Sequence, residues 1–129
     1  MNVTKTILTT VLFTASINLF SQTAEEWEKL GNAELDSANF DKAIEYYNKA
    51  IDINNTDADT YFALEFTYAE KQEYDKAIKT FKKGINLRPD SPEEHFYLGL
   101  LYQEKGSSIY AMLYAKKAAQ LGNEFAQQF

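Results

Sequence analysis

Phe40-Asp41-Lys42-Ala43-Ile44 returns as Tyr74-Asp75-Lys76-Ala77-Ile78, the same pattern shifted by 34 residues. The shift extends outward in both directions. It links Leu30, Leu64 and Leu98; Ala43, Ala77 and Ala111; Ala50, Gly84 and Ala118; and Ile53, Leu87 and Leu121. Trp27, Tyr61 and His95 form a further set. A fixed period of this length marks a solenoid, in which each supersecondary unit buries its apolar face against the next.

Each period contains two stretches with apolar residues three and four apart, the spacing of amphipathic helices. It predicts A helices over about 24–37, 58–71 and 92–105, and B helices over about 40–53, 74–87 and 108–121. Local signals agree with these starts. Thr23-x-x-Glu26 has the form of a capping box. Ser91-Pro92-Glu93-Glu94 offers an N-cap, a first-turn proline and a reciprocating glutamate. Asn39 is expected to cap the first B helix, and Gly106 suits the tight turn of the last hairpin.

With these motifs in view the sequence resembles the tetratricopeptide repeat family. The first repeat has Trp27-x-x-Leu30-Gly31, Ala43-x-x-x-Tyr47 and Ala50; the second Tyr61-x-x-Leu64, Tyr68, Ala77-x-x-x-Phe81 and Pro89. The third has Leu98-Gly99-x-x-Tyr102, Ala111 and Ala118. The resemblance implies an all-α fold, a right-handed superhelix of about three antiparallel helix-turn-helix repeats over 24–57, 58–91 and 92–125. Its domain spans 22–129. The end, Lys117 to Gln127, is also similar to a Sel1-type repeat, and a short capping helix carrying Phe125 and Phe129 is expected to cover the last hairpin.

Small residues at Gly31, Gly99, Ala43, Ala77 and Ala111 let A and B helices approach, and Trp27, Leu30, Tyr47 and Phe81 fill the flanks. Four positions depart from the family pattern, one of them Ser108, which stands where the earlier repeats have Phe40 and Tyr74. Glu65 stands where a small residue is usual and must find a partner or swing outward, because an unpaired buried charge is costly. Glu34 stands where the family has Tyr. Ala115 replaces the aromatic held by Tyr47 and Phe81.

Residues 1–21 read as a secretory signal: one positive charge at Lys5, an uncharged apolar run from Ile7 to Phe20, then the small Ser21. The run is shorter than the ~20 residues of a membrane-spanning helix. Leu19-Phe20-Ser21-Gln22 looks like the cleavage region of Gram-negative export signals. The mature chain is therefore expected to be periplasmic or secreted, with no stable membrane insertion.

Composition narrows the function. The chain of 129 residues has no Cys and a single His, which excludes thiolate chemistry and multi-histidine metal sites. A net charge of -6 disfavours nucleic acid. No phosphate loop or nucleophile elbow is present, and no cofactor or enzymatic activity is expected. His95, at the position of Trp27 and Tyr61, reads as a packing residue.

In the resembling family the A helices line a concave surface that binds protein or peptide. Carried over by position, that surface here is Glu28, Asn32, Leu35 and Asp36; Phe62, Phe66 and Glu70; and Phe96, Leu100, Gln103 and Glu104. Its centre is apolar and its margin acidic. The A-helix stretches hold eleven acidic and three basic residues, the B-helix stretches four and eight. A basic or amphipathic peptide is thus the expected partner of an exported, non-enzymatic adaptor. The family's carboxylate-clamp lysines have no counterpart: Glu28 takes the first such position, although Asn32 matches the clamp asparagine. The competing reading is a structural subunit whose concave face is filled by itself or by an identical chain, a homo-oligomer.

Overall fold

The structure, a computed structural model, describes residues 22–128; the expected leader (1–21) and Phe129 lie outside the described residues. Among the described residues six α-helices follow one another: α1 (Ala24–Asp36), α2 (Phe40–Ile53), α3 (Ala58–Glu70), α4 (Tyr74–Gly84), α5 (Pro92–Glu104) and α6 (Ser108–Gln120). A single 3-10 turn closes the described chain at Ala126–Gln128. No strand occurs among the described residues. The helices pair as three antiparallel hairpins, α1–α2, α3–α4 and α5–α6, and each hairpin packs on the next.

The turns inside the hairpins share one design. Ala38, Gln72 and Gly106 all adopt positive φ (58°, 62° and 80°). The amides that follow them, of Asn39, Glu73 and Ser107, donate to the carbonyls of Glu34, Tyr68 and Tyr102 at 2.8–2.9 Å. This is the Schellman arrangement, which satisfies carbonyls left open at a helix end. Only Gly106 takes the left-handed backbone without a Cβ penalty.

The core follows the small-residue register. A Cβ on Gly31 would lie 2.6 Å from the Tyr47 ring, and one on Gly99 would lie 3.2 Å from the Ala111 carbonyl. The third hairpin therefore answers the missing aromatic at Ala115 by bringing backbones closer. Tyr47 is fully buried and donates its hydroxyl to Asn32 Oδ1 at 2.7 Å. Ala77, Ile78, Phe81, Leu98 and Leu101 form the second cluster, across the junction between hairpins two and three.

Several local expectations are corrected. Helix α4 stops at Gly84, three residues before the expected 87; Leu87 N–H turns back to the Gly84 carbonyl ahead of Pro89, which bars further helix. Asn39 occupies the N-cap of α2 without a side-chain cap bond; its Nδ2 donates to Glu34 Oε2 at 2.8 Å. The Thr23–Glu26 box forms in both directions. At Ser91 only one half forms: the hydroxyl accepts from Glu94 N–H, while the Glu94 carboxylate pairs with Arg88 at 2.8 Å. Leu30 is 38% exposed although Leu64 and Leu98 are buried, since no described hairpin precedes the first. The expected capping helix is the 3-10 turn, started by Asn123 Oδ1 accepting from Ala126 N–H, and Phe125 stays 71% exposed.

Candidate functional site

Helix α1 packs on α3, and α3 meets α5 through aromatic side chains; these three helices carry the residues singled out from the sequence. At their centre Tyr97 of α5 meets two rings of α3, Phe62 at 5.6 Å and Phe66 at 6.0 Å between centroids. Phe62, Phe66 and Phe96 are each half-buried. A hollow of about 520 Å³ opens there, lined by Phe62, Glu93, Phe96, Tyr97, Leu100 and the Gly122–Phe125 segment. Phe125 stacks on Phe96 at 6.4 Å, so the chain's own end forms one wall.

The remaining residues distribute around that centre. Glu70, Gln103, Glu104 and Asp36 are exposed at the C-terminal ends of the A helices. Glu28 is half-buried; burial first, then the neighbouring Asp57 and Asp59 carboxylates, push its carboxyl above the ordinary range. Asn32 is engaged by Tyr47, and Leu35 packs against the Ala43–Tyr47–Leu64 cluster. Leu100 lines both this hollow and a second one between α5 and α6, whereas Gln103 borders only the second.

Two features were missed from the sequence. Tyr97 belongs to the face with Glu93 and Leu100, four residues before and three after it, a helical stripe that spacing alone offered. The Phe125 wall left no comparable signal, because it depends on how the chain turns after Gly122 (φ 101°).

Glu65 does neither of the things expected of it. It stays 2% exposed, and its Oε1 has no hydrogen-bond partner. Burial, with the Glu94 carboxylate adding to it, pushes the Glu65 carboxyl up to about 9. The group is therefore held neutral at pH 7, which removes the cost of an uncompensated charge. His95 is also buried and packs as anticipated, stacked on Tyr114 at 6.2 Å with Nε2 2.9 Å from the Pro89 carbonyl oxygen. Among the described residues no group of three or more acidic, His or Cys side chains could hold a metal ion. No described helix is long and apolar enough to cross a membrane.

Comparison with known proteins agrees with this architecture. The family model described as tetratricopeptide repeat matches residues 24–57, and that described as TPR repeat matches 66–106. A crystal structure of MamA is 32% identical with a TM-score of 0.75, over 81% of this chain and 61% of the MamA chain. This chain thus spans less than two thirds of that relative. The type III secretion chaperone SycD of Yersinia enterocolitica, solved with a peptide of the translocator YopD, is 18% identical (TM-score 0.72) over 78% of this chain and 76% of its own. The N-terminal domain of stress-induced protein-1 from C. elegans is 17% identical (TM-score 0.76), over 81% and 89%. The last two are alike in fold alone. The comparison with curated proteins gave no match.

Proposed function

The chain carries tetratricopeptide repeats, and from that premise we propose that it is a non-enzymatic adaptor that binds a peptide or protein segment on the face shared by α1, α3 and α5. The observation that carries this reading is the half-buried aromatic centre of Phe62, Phe66 and Tyr97, bordered by exposed Glu70, Glu93 and Glu104. Apolar surface of that kind, rimmed by charge, is the usual form of an interaction site. The acidic rim selects a basic or amphipathic segment and disfavours nucleic acid and a free C-terminal carboxylate. SycD, whose fold this chain shares, was solved with a peptide of YopD, an instance of the use proposed here.

The proposal includes export: the 1–21 segment acts as a cleaved signal, and the adaptor works in the periplasm or outside the cell. Mass spectrometry of the protein recovered from a Gram-negative host tests this part. A mature chain beginning near Gln22 is expected; an intact Met1 start in the cytoplasm overturns it.

Binding is tested by fluorescence anisotropy with a labelled Lys- and Leu-rich amphipathic peptide. Phe62→Ala with Phe66→Ala is expected to weaken binding by about tenfold or more. Glu70→Lys with Glu104→Lys is expected to weaken it several-fold, with a reduced salt dependence. Affinity unchanged by both pairs would remove this face from consideration.

A further inference from the structure

The outward side of α6 breaks the pattern of the other two B helices. Ile109, Met112 and Leu113 are 83%, 72% and 56% exposed, and Lys116 continues the same stripe. Their spacing of i, i+3, i+4 and i+7 aligns them on one face. One period earlier, the positions of Ile109, Leu113 and Lys116 hold Asp75, Lys79 and Lys82; two periods earlier they hold Asp41, Glu45 and Asn48. All six of those are exposed. The fold therefore asks for polar residues here, and the third repeat alone supplies Ile and Leu. The position of Met112 holds Ile44 and Ile78, both covered by the next hairpin.

The departure also removes the device that joins repeats. Asp41 pairs with Lys71 and Asp75 with Lys105, each at the end of the following A helix. Ile109 has no charge to offer a following lysine. The α6 edge thus differs in chemistry from the edges that the following hairpin meets in the first two repeats.

We propose that this face pairs with the same face of a second copy, two α6 helices crossing antiparallel about a two-fold axis between Met112 and Leu113. Antiparallel pairing sets Ile109 opposite the other copy's Lys116, at the level of the turn where Glu104 ends α5. Parallel pairing would set Lys116 against Lys116. Helix α6 carries no acidic residue that would oppose its own apolar stripe across such an axis. The second hollow, about 580 Å³ and lined by Phe96, Leu100, Met112 and Ala115, flanks the stripe and has room for side chains of the other copy. The inference goes beyond the adaptor reading: Phe96, Leu100 and Glu104 border both surfaces, whereas Phe62, Phe66 and Glu70 lie outside this one and keep the two tests distinct.

The absence of cysteine from the chain allows a clean test of register. In protein produced from the full-length sequence, Met112→Cys and Leu113→Cys are each expected to form a disulfide dimer with their own copy. Ile109→Cys and Lys116→Cys are expected to cross-link when mixed and poorly alone, because like positions would stand about 10 Å apart along the axis. Sedimentation equilibrium should give a dimer at ~50 µM, weakened more than tenfold by Leu113→Lys with an unchanged helical circular dichroism spectrum. Three outcomes overturn the proposal. They are a monomer at that concentration, self-cross-linking by Ile109→Cys in preference to the mixture, and a dimer that resists Leu113→Lys but is lost in Phe62→Ala.

Discussion

The first and second hairpins cross at equivalent positions with opposite chemistry. In the first, Gly31 leaves room for the buried Tyr47 ring, whose hydroxyl is anchored on Asn32. In the second, the buried Glu65 takes that position, within electrostatic reach of the Glu94 carboxylate. One crossing is fixed by shape, and the other by the protonation of a single carboxyl. The first should therefore respond to volume and ignore pH, and the second the reverse.

The largest expected effect is at the shape-fixed crossing. Gly31→Ala sets a methyl 2.6 Å from the fully buried Tyr47 ring, so that ring must shift. A loss of about 2–3 kcal/mol is expected in urea denaturation, the same at pH 5 and pH 8.5. A loss below about 0.5 kcal/mol would show that the ring moves at little cost, and the contrast would collapse.

The second prediction sharpens the other side. Folded Glu65 keeps its proton up to about 9, whereas the unfolded group releases it near 4.5. The folded state then binds more protons between those values, so stability falls as pH rises through that window. Glu65→Gln keeps the shape without the ionisation. It is expected to be nearly equal to the parent close to pH 4.5 and to become progressively more stable than it as the pH rises to 8.5. Parallel pH profiles for the two proteins would refute the account.

The smallest effects come from the turns. Gly106→Ala places a Cβ on left-handed backbone and is expected to cost about 1 kcal/mol. Gln72→Gly removes the same strain from the second hairpin and is expected to raise the unfolding midpoint slightly, by about 0.5 kcal/mol. A midpoint shift of the opposite sign in either variant would mean that the two turns are not equivalent.

Much of the fold was legible because one periodic rule sets it. The 34-residue shift and the small residues at Gly31, Gly99 and Ala77 determine where helices begin and which faces meet. The fate of Glu65 was not legible, since its energetics depend on Glu94 and Tyr97, which arrive from the next hairpin. Asn39 illustrates a local version of the same difficulty. Its Oδ1 was expected to accept from a backbone N–H, whereas the bond that forms is Nδ2 donating to the Glu34 carboxylate, and sequence spacing does not foretell that orientation. On the candidate face, Phe62, Phe66 and Phe96 followed from repeat position. The Phe125 wall depends on a turn at Gly122 that lies outside the period.

The bonds between Asp41 and Lys71 and between Asp75 and Lys105 recur at the repeat spacing and bridge successive hairpins across exposed surface. Exposed ion pairs weaken as mobile ions accumulate around them. The array thus behaves as a spring whose stiffness the surrounding medium sets, taut in dilute solution and slack in brine. A segment gripped across α3 and α5 would be held by that same spring.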